Sequence, residues 1–208
     1  MARERMARQD RFDQLVAIAW SIVRDHGADD LTLGRLATAA GITKPVVYSH
    51  FPSRDALLVA LFEEYDERQN AALAAAVTRA GSSVRGRARA IAASFVDCVV
   101  TQGRELVGVA AALEGTPELA QFKRRSDLAY AEQLTTVLGG ARNGATLTPA
   151  ALTGMLGAAE ALAAAAASGD MDRDTVVDEL AAVIETTVAR CRRAARSGPG
   201  SSVADTMV

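Results

Sequence analysis

The segment 31–51 restricts the fold more than any other part of the chain, because it contains two short apolar helical patterns on either side of a glycine corner. Thr32 stands at the N-cap position of the first pattern. Gly41 stands where that helix must end in a left-handed conformation that glycine adopts at little cost. Ile42 then fills the corner, and Thr43 is placed to cap the second pattern. The predicted inner face of the first helix consists of Leu33, Leu36, Ala37 and Ala40. The segment therefore predicts two turns of helix, a tight corner and two more turns of helix, which is a helix-turn-helix.

The second helix of this motif is predicted to bury Val47 and Phe51. Its opposite face and rim carry hydroxyl, ammonium, apolar, phenol and imidazole groups, which suit the phosphates and base edges of a DNA groove. These groups belong to Thr43, Lys44, Val46, Tyr48 and His50. Lysine occurs in the chain only at positions 44 and 123, so one of the two lysines falls in this helix. Packing at the end of the helix is the alternative role for Tyr48 and His50.

Several ordered elements of this block resemble the TetR family of bacterial transcriptional regulators. In that family a Thr precedes the first motif helix, an Ala-Gly-hydrophobic-Ser/Thr corner follows, and a Tyr-x-His-Phe ending precedes a Ser-Lys start to the next helix. The corresponding residues here are Thr32, Ala40-Gly41-Ile42-Thr43, Tyr48-Ser49-His50-Phe51 and Ser53-Arg54. The match covers roughly the first quarter of the chain, and the remainder resembles the family only as a helical domain of suitable length. Two residues depart from the pattern: Pro45 replaces a small residue near the start of the recognition helix, and Arg54 stands where Lys is commoner.

The resemblance implies roles for individual residues of the motif. Phosphate contacts are expected from Thr32, Thr43, Tyr48, His50 and Arg54, and base-edge contacts from Lys44, Pro45 and Val46. Arg54 keeps the positive charge that a phosphate contact needs. Pro45 disfavours helical geometry at residue 44, so the helix is expected to begin one residue later than in relatives, and base preferences do not transfer. In the leader, Arg3, Arg5 and Arg8 are expected to form an arm that reaches the DNA backbone or minor groove, with solvated surface charge as the alternative.

Helical periodicity continues through most of the chain, which has 44 alanines and only five prolines. Asp10 is expected to cap the first helix, Gly27 to end it, and His26 to lie on its core face. The helices expected outside the motif cover residues 11–26, 53–80, 84–101, 105–113, 117–138, 149–167 and 173–196. Together with the resemblance, this pattern predicts an all-α fold, in which an N-terminal three-helix helix-turn-helix DNA-binding domain precedes a C-terminal helical ligand-binding and dimerisation domain. The expected boundaries are 1–54 for the first domain, 55–197 for the second and 198–208 for a disordered tail.

The resemblance also implies that the C-terminal domain dimerises through its last two helices and holds a small-molecule pocket among the preceding ones. A strip of small residues on the helix at 149–167 permits close approach of another helix, from the same chain or from a second subunit. The strip consists of Gly154, Gly157, Ala158, Ala161 and Ala165. The last helix has its own apolar face, made of Val176, Leu180, Val183, Ile184 and Val188.

The candidate pocket residues lie on one face of the helix at 84–101 and on the helices that follow it. They are Phe95, Cys98, Gln102, Phe122, Tyr130 and Glu160. Ordinary core packing is the alternative for every member of this set except Glu160. Glu160 is the only charge in an apolar run, and three alternatives stand for it: solvent exposure, an ion pair with an arginine across the dimer, or contact with a ligand.

The formal charge differs in sign between the two parts of the chain. Residues 1–54 carry 8 basic and 6 acidic side chains, a balance of +2, and residues 55–208 carry 15 and 19, a balance of −4. The only histidines are His26 and His50, and the sequence has no serine elbow, phosphate-cradling loop or metal-ligand cluster. Neither an enzyme nor a metal or cofactor is therefore expected.

The cellular setting predicted from the sequence is the cytoplasm. Two separated cysteines, Cys98 and Cys191, favour a reduced protein, and the N-terminus lacks the apolar core of a secretory signal. The stretch 149–167 is rich in Ala and Gly and is interrupted by Glu160, so it is not expected to cross a membrane. The expected partners are double-stranded operator DNA, a second copy of the chain and an unidentified small molecule. The predicted function is a dimeric repressor that a small molecule releases from a near-palindromic operator. The alternative is a helical interaction protein that retains the motif without using it.

Overall fold

The computed structural model describes residues 7–142 and 144–197, without the side chains of residues 102–104. These residues form helices and no strand, which confirms the predicted all-α class. The helices are α1 (Arg8–His26), α2 (Leu33–Ala39), α3 (Lys44–Tyr48), α4 (Arg54–Ala80), α5 (Val84–Leu113), α6 (Pro117–Gly139), α7 (Pro149–Ser168) and α8 (Arg173–Arg196). The leader arginines Arg3 and Arg5 and the expected tail at 198–208 lie outside the described residues.

The boundaries of most helices follow from capping side chains in the sequence. In six helices the residue before the first helical position has a side-chain oxygen that accepts a hydrogen bond from a backbone N–H in the first turn. These residues are Thr32, Ser53, Ser83, Thr116, Thr148 and Asp172. Gly169 ends α7 in the left-handed conformation, with φ of 82°. Short polar side chains therefore determine where the chain changes direction.

The first helix ends at His26 before Gly27, as predicted, but its start differs from the prediction. It begins at Arg8, Ala7 occupies the N-cap position without a side-chain hydrogen bond, and the expected cap Asp10 lies inside the first turn. His26 is exposed rather than directed to the core. The buried face of α1 includes Trp20 and Ile22.

The fifth helix corrects another expectation. The sequence predicted separate helices at 84–101 and 105–113, but α5 is continuous from Val84 to Leu113. Buried Val99 and Leu106 lie two helical turns apart, so the apolar face stays in phase across Gly103. A single glycine costs an α-helix only about 1 kcal/mol relative to alanine, and packing on both sides outweighs that cost.

The helices pack around α5, which contacts α4, α6, α7, α8 and also α1. One contiguous hydrophobic core extends from α1 to α8. The short helices α2 and α3 pack against each other beside α1. Among the described helices, α7 is long and apolar enough to cross a membrane by length and composition, and in this fold it packs against α5 and α8. The helix α4 extends from the helix-turn-helix into the C-terminal bundle and connects the two.

Candidate nucleic-acid interface and ligand groove

The corner of the helix-turn-helix has the geometry that its residues predict. Thr32 Oγ1 accepts a hydrogen bond of 3.1 Å from the backbone N–H of Arg35 and so caps α2. Gly41 has φ of 63°, in the left-handed region that glycine adopts most easily. The backbone N–H of Ile42 donates to the carbonyl of Ala37 at 3.1 Å, which satisfies one carbonyl at the end of α2. The corner is therefore fixed by the capping threonine, the glycine and one backbone bond.

The third helix presents one buried and one exposed face. It contains only five residues, Lys44–Tyr48, with Pro45 in its first turn. Val47 is fully buried, whereas Val46 is 39% exposed and Tyr48 is 52% exposed. Exposed apolar and phenolic side chains next to a fully buried valine form a surface that projects from the domain. Thr43 has the backbone geometry of an N-cap, but its hydroxyl makes no capping hydrogen bond.

The side chain of Lys44 lies beside Gly34 in the first turn of α2. A Cβ atom added to Gly34 would lie 3.6 Å from Lys44 Cε and 4.0 Å from both Lys44 Nζ and Thr32 Oγ1. The ammonium group of Lys44 and the hydroxyl of Thr32 therefore approach the same point on the surface. Sequence reasoning missed Gly34, although a glycine inside a seven-residue helix is an indication of close approach.

His50 combines packing with partial exposure. Its ring centroid lies 6.5 Å from that of Phe12 and 6.3 Å from that of Phe51, so the packing role left open by the sequence applies to this residue. Burial, and then the charges of Arg8 and Arg11, lower the pKa of His50. The imidazole is therefore neutral at neutral pH and can donate a hydrogen bond to a phosphate, but it does not bring a positive charge.

Arg54 holds the loop between α1 and α2. Its Nε donates to the carbonyl of Leu31 at 2.9 Å, and its Nη2 donates to the carbonyl of Ala28 at 2.8 Å. The side chain is half-buried. We call this pair of bonds the Arg54 clamp. Arg54 therefore has a structural role inside the domain. The phosphate contact expected from the sequence stays a prediction.

A second set of contacts joins α1 to α4 and α5. Trp20 Nε1 donates to Glu64 Oε2 at 2.7 Å, and Arg68 Nη2 donates to the same oxygen at 2.7 Å. The guanidinium carbon of Arg68 lies 5.9 Å from the centroid of the Trp20 ring, within cation–π range. Arg24 Nε donates to Glu105 Oε1 at 2.6 Å. Trp20 and Glu64 are 44 positions apart and Arg24 and Glu105 are 81 apart, so no local sequence pattern indicates these two contacts.

Among the predicted pocket residues that the structure describes, the aromatic ones pack in the core, Cys98 lines a groove and Glu160 is exposed. Phe95 is buried with its ring centroid 6.2 Å from that of Tyr130, and Phe122 packs edge-on against Phe62 at 6.1 Å. Burial raises the pKa of Tyr130. These aromatic side chains make the packing contacts that the sequence left open as their alternative role. The side chain of Gln102 lies outside the described part of the structure.

Cys98 and Glu160 lie in different surroundings. Cys98 is half-buried, burial raises the pKa of its thiol, and the residue lines a groove between α4 and α5. Glu160 is exposed on α7, with Oε1 3.9 Å from Lys123 Nζ on α6. Solvent exposure, one of the three alternatives for Glu160, therefore applies within a single chain.

The groove between α4 and α5 has a volume of about 970 Å³. Its walls are mainly alanines, with Tyr65, Ser94 and Cys98 at one part and several arginines along the rim. The lining residues that the sequence did not identify include Tyr65, Arg68, Arg79, Arg85, Arg89, Ser94 and Asp97. These residues share one groove because α4 and α5 pack side by side, and this packing cannot be inferred from the sequence alone.

Comparison with known proteins agrees with this architecture. Residues 15–61 match the sequence model of the bacterial regulatory proteins of the tetR family. The chain is 30% identical over 105 residues to the HTH-type transcriptional activator FasR of Mycolicibacterium smegmatis (strain ATCC 700084 / mc(2)155), which covers 50% of this chain and 48% of that protein. The match thus spans about half the length of this curated relative.

Solved structures resemble nearly the whole chain. A protein with unknown function from Rhodococcus sp. RHA1 has a TM-score of 0.73 and 26% sequence identity, over 90% of this chain and 100% of that one. A TetR-like transcriptional regulator from Rhodococcus sp. RHA1 has a TM-score of 0.69 and 23% identity, over 89% of this chain and 99% of that one. Residues 15–61 therefore carry the helix-turn-helix of the tetR family of bacterial regulatory proteins, and the chain shares the all-helical fold of the solved TetR-like structures.

Proposed function

We propose that this chain is a homodimeric, sequence-specific DNA-binding repressor that a small molecule releases from a near-palindromic operator. The exposed face of α3 is the observation that carries the proposal. Val46 and Tyr48 project from a helix whose opposite side is fully buried, and Lys44 extends beside the capping hydroxyl of Thr32. A projecting helix with a nearby ammonium and hydroxyl suits base edges and a flanking phosphate. Residues 1–54 supply this DNA-binding domain, and residues 55–197 supply ligand binding and dimerisation.

The exposed face of α7 supports the dimer. Gly154, Gly157 and Ala161 of the small-residue strip are exposed, while the opposite face of α7 packs inside the chain. A Cβ atom added at either glycine would meet nothing within 4 Å. This exposed part of the strip is thus left uncovered by the rest of the described chain, and a second copy is the occupant we propose.

Charge also favours a dimer. The balance of +2 in residues 1–54 is too small to give tight nonspecific binding by itself. When two DNA-binding domains are joined in a dimer, binding of the first domain to DNA raises the effective concentration of the second domain at its own half-site. Paired recognition helices read half-sites whose centres are about 34–36 Å apart, so the operator should be an inverted repeat with that spacing.

Selection of sequences from a random duplex pool by the purified full-length chain tests DNA recognition. The expected product is an inverted repeat with half-site centres about 10–10.5 base pairs, or a multiple of that spacing, apart. A pool that yields no enriched sequence at 150 mM salt would contradict the proposal, because a specific regulator binds its operator far more tightly than bulk DNA.

The selected operator then allows a test of Lys44. Lys44→Ala should weaken operator binding by about 5- to 150-fold per half-site, since one base contact contributes about 1–3 kcal/mol. Arg124→Ala on the exposed face of α6 removes the same charge far from α3 and should change affinity less than about twofold. Equal losses in the two variants would mean that charge anywhere on the protein, rather than the α3 surface, determines binding.

A promoter reporter that carries the selected operator decides the direction of regulation. Repression requires that bound protein lowers expression. The matched FasR protein is a transcriptional activator, and a rise in expression would assign activation to this chain as well. The same reporter in a strain that lacks the protein supplies the baseline.

A further inference from the structure

The α4–α5 groove has the dimensions of a site for an extended ligand. From Tyr65 to Arg79 the wall formed by α4 is about 21 Å long at 1.5 Å per residue. Its walls carry small apolar side chains, which leave room for an aliphatic or flat aromatic body. These side chains are Ala72, Ala75, Ala76, Ala90 and Ala93.

A polar group in this groove has no partner. Ser94 is 9% exposed, and its hydroxyl oxygen makes no hydrogen bond within the described residues. Buried hydroxyl groups in proteins are normally hydrogen-bonded, because their desolvation is unfavourable. A hydroxyl without a partner beside alanine walls therefore offers a hydrogen bond to a molecule that occupies the groove.

The rim of the groove is positively charged. Four arginines line it, namely Arg68, Arg79, Arg85 and Arg89, against one carboxylate, Asp97. Asp97 is already held by two hydrogen bonds from Arg173, and Arg89 is bound to Asp178. No carboxylate of the described residues forms an ion pair with Arg79 or Arg85. The groove therefore favours a negatively charged ligand.

Arg68 connects this groove to the DNA-binding domain. It lines the groove, yet its guanidinium also bonds Glu64 and lies over the ring of Trp20 on α1. Glu64 Oε2 is the shared acceptor of Arg68 and Trp20. An anion that attracts Arg68 into the groove would therefore remove one donor from Glu64 and the cation from the Trp20 ring.

We propose that the α4–α5 groove is a regulatory site for an elongated organic anion with an apolar body, and that this anion acts on the DNA-binding domain by withdrawing Arg68 from Glu64 and Trp20. The proposal rests on the proposed function, because it identifies the site and the chemical class of the releasing ligand. The sulfonate, carboxylate or phosphate of such a ligand binds the rim arginines, and its apolar body covers the alanines.

Binding of 1-decanesulfonate to the full-length chain, with decyltrimethylammonium as the matched cation, tests the ligand class. Calorimetry measures affinity, and the emission of Trp20, the only tryptophan of the chain, reports on the contact with Arg68. Decanesulfonate should bind saturably below its micellar concentration and shift the emission, and the cation should bind at least tenfold more weakly. Equal affinity for the two compounds would overturn the assignment of an anion site.

Three variants locate the site. Ala90→Phe fills the groove and should weaken decanesulfonate binding at least tenfold, whereas Ala129→Phe on the exposed face of α6 should leave it unchanged. Arg79→Gln combined with Arg85→Gln removes two exposed rim charges without touching the core, and should also weaken binding at least tenfold. Unchanged affinity in both the filled and the charge-depleted variants would show that the anion binds elsewhere and would overturn the proposal.

Arg68→Gln separates binding from transmission. It should abolish the ligand-induced shift of Trp20 emission even at saturating decanesulfonate, while the Arg79 and Arg85 double variant should retain the shift at saturation. A full shift in Arg68→Gln would refute the transmission step. Operator affinity measured without ligand distinguishes failure of the groove proposal from failure of the proposed function. Intact operator binding with no response to decanesulfonate overturns only this inference, and absent operator binding overturns the proposed function.

Discussion

Replacement of Arg54 tests whether the helix-turn-helix depends on the clamp that joins α4 to the loop before α2. Arg54→Met keeps a long flexible side chain but removes the guanidinium, and with it the bonds to the carbonyls of Leu31 and Ala28. Leu31 is fully buried and Ala28 is 6% exposed, so these carbonyls belong to a loop that packs against the core. We expect the variant to be folded but clearly less stable.

The magnitude follows from the two hydrogen bonds. A hydrogen bond to a charged group contributes about 1.5–3 kcal/mol, so loss of two such bonds costs about 3 kcal/mol at the lower end of that range. The lower end applies because the side chain is half-buried and water can reach the released carbonyls. Arg35→Met is the matched control, since Arg35 makes an exposed ion pair of 2.9 Å with Asp30 and its loss should cost less than about 1 kcal/mol.

Urea unfolding followed by Trp20 emission measures the effect, because this buried side chain lies on α1 of the same domain. With an unchanged slope of about 1–3 kcal/mol/M, a loss of about 3 kcal/mol lowers the midpoint by about 1–3 M. A midpoint for Arg54→Met close to that of Arg35→Met would refute the structural role. If stability were unchanged and operator affinity fell, Arg54 would instead be the phosphate contact that the family resemblance implies.

Three further substitutions have definite expectations. Gly34→Leu should displace Lys44 from the first turn of α2 and weaken operator binding, whereas Gly34→Ala should not, because an added Cβ lies at ordinary contact distance; competition binding on the selected operator compares them. Gly157→Leu should favour helix by about 0.5–1 kcal/mol within each chain, yet it should raise the dimer dissociation constant in sedimentation equilibrium, while Ala129→Leu on α6 should not. The lowered pKa of His50 means that the folded protein holds fewer protons than the unfolded chain as pH falls below the ordinary histidine pKa. Wild-type melting temperature should therefore fall relative to His50→Gln between pH 7.5 and 5.5, and a constant difference would contradict this.

Local chemistry made the helix-turn-helix predictable from sequence. Thr32 caps α2 and Gly41 takes positive φ, because each of these conformations depends on the residue itself and on neighbours within a few positions. Val47 and Phe51 are buried as the periodicity predicted. The predicted break near residue 103 was wrong for the opposite reason, since a local preference of glycine was outweighed by long-range packing along α5.

The groove and the interdomain contacts could not be predicted in the same way. Arg68 appeared in the sequence as one of many charged residues on a helix, and its significance depends on Trp20 and on the groove wall, both placed by tertiary packing. The aromatic residues proposed for the pocket were conspicuous because large apolar side chains stand out in a sequence. Because those side chains are large and apolar, they pack in the core. The groove walls are formed largely by alanines, and no sequence pattern distinguishes these alanines from the many others in the chain.

One helix can transmit a small change because it holds the DNA-binding domain at two points. The Arg54 clamp acts at the first turn of α4, and the Glu64–Trp20 contact acts ten residues later, about 15 Å along the helix at 1.5 Å per residue. A 1 Å displacement of the second contact, with the clamp as pivot, rotates the domain by about 4° over that 15 Å separation. The same rotation moves any base contact about 7.5 Å from the pivot by about 0.5 Å. Hydrogen bonds to base edges tolerate a donor–acceptor range of only about 0.5 Å, so in the proposed mechanism loss of the Arg68 contact is sufficient in scale to disrupt recognition.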